Sequence, residues 1–382
     1  MTSADWRTAR DRAGSAAALQ AETVSLSAAF VRTLATDVAA LQPIPHYASS
    51  AMDGWAISGG GPWTLVGATG ASLEAGQAQL IVTGGAIPSG TTAILRQEDG
   101  TEAHGLLTAS VMPPLGRHIR PAGEEAEAGT VLIHEGQLLN PAHLAVIAAC
   151  GLDEVSVIRR PRIALLLTGD EVVESGLPNA GQVRDSFGPQ LPALLGLFGG
   201  VTVSSRRLPD NLNASTTALA TTGDADVVVT TGGTGHSSVD YLRRALEANA
   251  AEIVVEGVRM RPGGPSMLAR LPDGRYVVGL PGNPLAAMMG AFTLLGPLLA
   301  ALGGQALPQL GEITTAHEFA GRPGSTRLVT FRVAADGRAE DAGWHGAGMM
   351  RGLAEAAGVV IVPPDGLREG EIAETIPLPW AH

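Results

Sequence analysis

The hydrophobic pattern changes period twice along this chain. Between about Ala21 and Ala40 the apolar residues Val24, Leu26, Phe30, Val31, Leu34 and Val38 fall at helical spacing, which predicts one or two short helices before a break at Pro43 and Pro45. From there to about Arg120 the segments WTLVG, AQLIVTG, TTAILRQ and GLLTASVM are short and strand-like, punctuated by Gly and Pro. That pattern predicts a small β-rich module inserted into the chain around it. Residues 121–160 are mixed, with PAHLAVIAACG a helix that Pro141 opens at its first position and Gly151 closes.

A different regime begins at RIALLLTGD. Strands at 162–167, 201–205, 226–230 and 276–280 alternate with helical stretches near 188–198, 213–222, 240–249 and 284–302. Such alternation predicts a parallel, doubly wound sheet. Ligands of these sheets bind outside the carboxyl ends of the strands. Three loops sit there: TGDE at 168–171, TTGGTG at 230–235 and LPGNP at 280–284. Leu285–Leu302 is uncharged and long enough to imitate a membrane span, but Gly290, Gly296 and Pro297 interrupt it, so a buried or subunit-interface helix is expected. After Gly304 the runs TRLVTFRV, GVVIVPP and EIAETIPL predict a separate C-terminal β-domain.

Composition narrows the chemistry. The 382 residues, 45% of them apolar, suggest a soluble chain of two to four domains. A net charge of −12 argues against a nucleic-acid surface, and no membrane partner is expected. All 25 basic residues are arginine, so Schiff-base chemistry and a P-loop lysine are excluded, and guanidinium forks must do any phosphate work. The single Cys150 cannot form an intrachain disulfide and reads as a small core residue, which with the lack of a secretory signal predicts a cytoplasmic protein. No two of the nine histidines have the spacing of a zinc pair.

The stretch DVVVTTGGTGHSSVD, residues 226–240, runs a valine strand into a Gly-Gly turn and ends at an acid opening a helix. Glycine backbone and a helix start build an anion cradle, with Thr230, Thr231 and Thr234 as added donors. The alternative is a plain βα turn of Gly232, Gly233 and Gly235, with Asp240 as N-cap. Asp170 and Glu171 end a central strand, where carboxylates meet a ligand or cap a helix. Glu171 and Asp240 suit magnesium, which takes one or two carboxylates plus ligand phosphates. Asn283 and Pro284 make a helix start, while Gly282 permits close backbone approach. Arg259 and Arg261 flank a rigid Pro-Gly-Gly-Pro turn, where Arg261 either pairs with an oxyanion or is ordinary surface. Taken alone, Asp53-Gly54 is a turn pair, Thr83 lies in a Gly-Gly turn after a strand, and Glu124 and Glu125 are solvated surface.

Together, SSAMDGWAI, VTGGAIPSG, RPAGEEAEAG, LLLTGDEVV, DVVVTTGG followed by Asp240, RMRPGGPS and VGLPGNPLAA stand in the order of the MoeA and gephyrin E-domain family, which the chain resembles over nearly its whole length. The resemblance implies a multidomain α/β plus β architecture with four parts. These are an elongated discontinuous domain at 1–42 with 121–158, an inserted β-rich domain at 43–120, a molybdopterin-binding α/β domain with a mostly parallel sheet at 159–303, and a C-terminal β-barrel at 304–382. It further implies a homodimer whose cleft lies between the first two domains of one subunit and the α/β domain of the other. The implied reaction inserts molybdate into adenylylated molybdopterin with Mg2+ and releases AMP. Apo-molybdoenzymes or other cofactor-synthesis proteins are the implied further partners.

Carried over by position, Asp53, Thr83, Glu125, Glu171 and Asp240 match family catalytic positions, Glu125 standing for a common aspartate. Glu171 and Asp240 are the expected metal ligands. Gly232, Gly233, Thr234, Gly235, Arg261, Pro281, Gly282, Asn283 and Arg332 are the expected substrate contacts, with Arg261 where a lysine is common. The loop reads GGTGHS where the family usually reads GGVSVG, Gly257 and Gly264 stand where many members carry lysine, and Ala347 where some have serine. Two other readings stay open: a molybdopterin-binding paralogue or scaffold without efficient insertion, and a molybdopterin adenylyltransferase.

Overall fold

A computed structural model describes residues 3–67, 72–232 and 239–381, with Val239 and Asp240 as backbone only. Two compact units emerge, one of residues 3–22, 31–33 and 158–381, the other of 23–30 and 34–157.

In the larger unit four strands align in parallel in the order Val201–Leu208, Arg162–Thr168, Val227–Thr231 and Tyr276–Leu280, and Met267–Arg270 and Glu252–Val255 extend the sheet antiparallel. Side chains alternate between faces at period two. Ile163, Leu165, Val227, Val229 and Val278 pack on one face with helices Phe187–Leu197 and Pro284–Leu302. Leu166, Val228, Val277 and Met267 pack on the other, with Leu212–Ala220 and Val239–Ala248. Burial on both faces explains why these strands read as unbroken apolar runs. The two antiparallel strands were not among those the alternation marked out.

The apolar 284–302 segment is a core helix, buried over its whole length from Leu285. Pro297 does not break it. A π-helical stretch, Ala291–Leu295, precedes the proline and absorbs its missing N–H and its clash with the carbonyl four residues back. Helix Trp6–Ala13, capped by Asp5, docks here: Trp6 Nε1 donates to Thr293 Oγ1 at 3.0 Å. Residues 3–22, together with 31–33, therefore group with the α/β sheet and not with 23–30 and 34–42, the remainder of the segment to which the sequence assigns them.

Close approaches here account for two glycines, one against the N-terminal segment and one within its own turn. Ala4 N donates to the Gly257 carbonyl at 2.9 Å, and a Cβ on Gly257 would lie 3.1 Å from Ser3 Oγ. A Cβ on Gly264 would lie 3.0 Å from the Met260 carbonyl and 3.2 Å from that of Val258. Backbone oxygens yield little, so Gly264→Ala is expected to lower stability by about 1–3 kcal/mol. Thermal unfolding checks this, and an unchanged Tm would mean that the 258–264 turn relaxes freely.

The C-terminal strands form a second sheet in the order Met260–Arg261, Thr326–Val333, Gly358–Val362, Ile372–Pro377 and Gly311–Thr314, with Ala339–Asp341 pairing the long Thr326–Val333 strand. Met260–Arg261 thus ties this sheet to the α/β module within one unit.

The smaller unit carries a six-stranded sheet in the order Ala93–Arg96, Gly54–Ile57, Gln77–Ile81, Trp63–Val66, Leu106–Ala109 and Gly100–Ala103, around Trp55, Trp63 and Leu107. A separate core gathers Leu34, Val38, Ile133, Ile147 and Val157. Helix Pro141–Ala149 has Pro141 in its first turn, an Asn140 capping box and Gly151 beyond its end at φ 90°. Residues 21–40 are not helical. They form strand Ala21–Ser25, one 3-10 turn and strand Val38–Ala39. Their backbone bonds go to distant partners, Leu34 N to Gln137 O and Ala40 N to Thr130 O, so tertiary pairing overrides the helical spacing.

Candidate functional site

The strand order reverses between Arg162–Thr168 and Val227–Thr231, the position where an open α/β sheet leaves a crevice at its carboxyl ends. There Thr168 Oγ1 donates to the Thr231 carbonyl at 2.7 Å and Gly232 N donates to Leu280 O at 3.1 Å, drawing three strand ends together. Gly232 has φ 79°, and a Cβ on it would lie 2.5 Å from Thr168 Oγ1. A Cβ on Gly282 would lie 3.4 Å from the Gly232 Cα, an ordinary contact, so the positive φ and close approach that demand glycine belong to Gly232.

A cavity of about 1020 Å³ opens over these loops. Thr168, Glu171, Gly232, Pro281, Gly282 and Asn283 line it, as the strand-end pattern predicts. A small second pocket beside it is lined by Thr168, Asp210, Asn211, Ser215, Thr230 and Tyr241. The Thr230 hydroxyl there is buried without a partner among the described residues, as is that of Thr231. Burying an unpaired hydroxyl is costly, and a ligand's polar atom would relieve it.

The C-terminal sheet brings two cations into the large cavity. Arg261 is the Cα partner of Arg327 in the parallel Met260–Arg261 pairing, so two guanidinium stems stand side by side, and both residues line the cavity. Neither forms an ion pair with a carboxylate among the described residues, although the Arg327 guanidinium donates to the Ala320 carbonyl. Like charges on adjacent strands repel, and an anion between them removes the penalty. Arg207, by contrast, is neutralised by Asp185 at 2.7 Å and Glu174 at 3.1 Å. Arg332 lies outside the cavity lining and faces Glu355 at 3.8 Å. Arg327, five residues earlier on the same strand, is the C-terminal arginine in the cavity. His345, also in the lining, contacts Asp341 Oδ2 through Nε2 at 2.9 Å. Neither Arg327 nor His345 is marked by a sequence motif.

On the acidic side, Glu171 lines the cavity and Asp170 and Asp210 exchange backbone N–H bonds at 3.3 and 3.4 Å. Among the described residues no three His, Cys, Asp or Glu side chains converge into a metal cage. Gly233, Thr234 and Gly235 lie outside the described residues, as does the side chain of Asp240. The helix after them begins at Val239, which puts Asp240 in its first turn and not at the cap.

In the smaller unit, strands Gly54–Ile57 and Gln77–Ile81 pair with Gly54 opposite Ile81, so the residues flanking them, Asp53 and Thr83, meet. Asp53 Oδ1 accepts from Thr83 N at 2.6 Å and from Thr83 Oγ1 at 2.9 Å. These bonds, the backbone one first, hold the Asp53 carboxyl below its ordinary range. A depressed folded-state pKa favours the fold above the unfolded value, and that contribution is lost as pH falls through the folded value. Thr83→Val deletes the hydroxyl bond and keeps the amide. It is expected to raise the Asp53 pKa part of the way back, which a carboxyl-carbon NMR titration reads directly. Glu125 is exposed, its N–H bonded to the Ile44 carbonyl.

Residues 5–151 match the MoeA N-terminal region, domains I and II, and residues 164–301 match a probable molybdopterin-binding domain of the MoCF biosynthesis type. A molybdopterin molybdenumtransferase of Nostoc is 33% identical over 305 residues, covering 75% of this chain and 70% of the relative. One of Staphylococcus aureus is 29% identical over 377 residues, covering 90% and 88%. The molybdopterin biosynthesis MoeA protein of Pyrococcus horikoshii superposes with a TM-score of 0.81 at 21% identity, covering 99% of this chain and all of that one, a likeness of fold.

Proposed function

The chain belongs to the MoeA family, and from that premise we propose that it is a molybdenum insertase, transferring molybdate into adenylylated molybdopterin and releasing AMP as the molybdenum cofactor forms. One observation carries the reading: a large cavity at the switch point of a molybdopterin-binding sheet, walled by two adjacent arginines that have no carboxylate partner among the described residues. The Gly232 and Gly282 backbones admit a phosphate at the strand ends, while Arg261 and Arg327 attract an oxyanion beside it. The chain's overall charge of −12 repels such ligands, so capture rests on these local cations.

Magnesium fits this donor set. In place of a cage of protein ligands, the cavity offers the Glu171 carboxylate, which makes no hydrogen bond among the described residues, and leaves the other positions to phosphate and water oxygens. Bound there with Asp240, the ion would offset charge at the phosphoanhydride. The same reading makes the protein a cytoplasmic homodimer, in which the Asp53–Thr83 turn of one subunit serves the cavity of the other, and delivers product to apo-molybdoenzymes or other cofactor-synthesis proteins. It also makes the C-terminal module a small barrel, supported by the isolated Thr315–Ala339 bridge between its outer strands.

The test supplies purified protein with adenylylated molybdopterin, molybdate and magnesium, and measures AMP release and reconstitution of an apo-molybdoenzyme. Molybdate-dependent AMP release that disappears with a chelator is the expected result. Consumption of ATP with free molybdopterin would instead indicate adenylylation, and binding without turnover a non-catalytic paralogue.

A further inference from the structure

We propose that Ser50 and Tyr47 are positioning residues for Asp53, gripping the turn that carries Thr83 so that the carboxylate keeps one oxygen tied and the other free. The inference rests on the insertase reading, in which Asp53 serves the reaction, and adds to it two residues to which that reading gives no role.

Ser50 stands between two turns. Its main chain holds the first: Ser50 N donates to the Gly85 carbonyl at 2.9 Å, and the Ser50 carbonyl accepts from Gly84 N at 2.8 Å. Its side chain holds the second, for the wholly buried Oγ donates to the Met52 carbonyl at 2.6 Å and accepts from Met52 N at 3.3 Å. A serine hydroxyl is short enough to fold back on its own main chain in this way. Asp53 follows Met52 and Thr83 precedes Gly84, so this one residue sets the separation of the pair. The outer sides are closed as well. Tyr47 Oη donates to the Gly84 carbonyl at 3.0 Å, Ala51 N donates to the His118 carbonyl at 2.8 Å, and Gln97 N donates to the Asp53 carbonyl at 3.1 Å. Gly84 is thus held through its N–H by Ser50 and through its carbonyl by Tyr47.

The result of this bracing lies at the carboxylate. Both Thr83 bonds converge on Asp53 Oδ1, while Oδ2 makes no hydrogen bond among the described residues. A carboxylate tied through one oxygen keeps its orientation and presents the lone pairs of the other to a proton, a water or a cation. Loss of the Ser50 hydroxyl frees the Met52 peptide and, with it, the approach of Asp53 to Thr83.

Carbon-13 NMR titration of the Asp53 carboxyl in the full chain, beside steady-state AMP release, tests this. Ser50→Ala is expected to raise the Asp53 pKa toward the ordinary carboxylate range and to lower kcat about tenfold, within the 100-fold or so that a displacement of about 1 Å can cost. Ser50→Thr keeps the hydroxyl and should return the titration to that of wild type. In Ser50→Ala with Thr83→Val the rise should be smaller than the sum of the two single rises, because both changes act through one contact. A serine that serves only the fold would instead lower Tm with the Asp53 titration in place. Tyr47→Phe removes a single bond at an exposed side chain and should move titration and kcat the same way by less, so it decides the matter if Ser50→Ala does not fold. An unmoved titration in Ser50→Ala or Tyr47→Phe, additive rises, or an unchanged kcat beside a moved titration would overturn the proposal and leave the insertase reading standing. Wild-type protein that releases no AMP would overturn both.

Discussion

Arg261→Ala is expected to lower kcat/KM for molybdate-dependent AMP release by about 100-fold or more, the usual cost of deleting one preorganised donor from an oxyanion site. The expectation rests on the pairing of Arg261 with Arg327 and on the lack of a carboxylate for either among the described residues. An arginine held by an acid contributes little free charge, as Arg207 illustrates, whereas these two are held apart only by the sheet. Arg327→Ala should cost about as much, and the double variant less than the product, because each single change also relieves a like-charge contact. Thermal stability should stay level or rise for the same reason. Arg261→Lys keeps the charge but not the planar fork, so it should recover activity in part. Unchanged kinetics in both single alanine variants would remove the arginine pair from the mechanism.

Gly54→Ala is expected to cost more than about 4 kcal/mol, beyond the range of most single substitutions. Gly54 has φ 149°, and a Cβ would lie 2.0 Å from the Leu95 carbonyl and 2.9 Å from Gln97 N. Backbone strain and overpacking therefore act at one residue. Gly54 pairs with Ile81 on one side and Arg96 on the other, so neither neighbouring strand can retreat without breaking a ladder. Urea unfolding followed by fluorescence of Trp55 and Trp63 reads the loss. Gly76→Ala supplies the control: its φ of 84° carries strain, but a Cβ there meets no atom within 4 Å. Its cost should be about 1 kcal/mol. Because Asp53 precedes Gly54, activity in Gly54→Ala should fall further than stability does, as the Asp53–Thr83 contact goes out of register.

The alternation of buried strands and helices from 162 to 302 is legible in the sequence because parallel strands covered on both faces leave unbroken apolar runs. The loops at their carboxyl ends follow from that topology. What the sequence hides is pairing between distant segments. Asp53 and Thr83 are thirty residues apart, and only the register of two antiparallel strands makes them neighbours. Arg327 and Arg332 show the same limit on one strand: Arg327 stands beside Arg261 where the strand lines the cavity, whereas Arg332 lies beyond Thr330, the last residue of the strand in that lining, and a motif match alone does not say which stretch of the strand the cavity reaches. At 21–40 the apolar spacing is real, but the backbone partners that decide the conformation, Gln137 for Leu34 and Thr130 for Ala40, lie far along the chain.

Cys150, the only thiol, caps helix Pro141–Ala149 in the core of the smaller unit. Burial first, and then the charge of Glu125, pushes its pKa up, so the native thiol is doubly protected from reagents. Any disulfide-exchange probe that labels the intact protein is therefore timing the breathing of this unit, the one that carries Asp53. Labelling at rising probe concentration would separate how often that core opens from how fast it closes, with no engineered reporter in the chain.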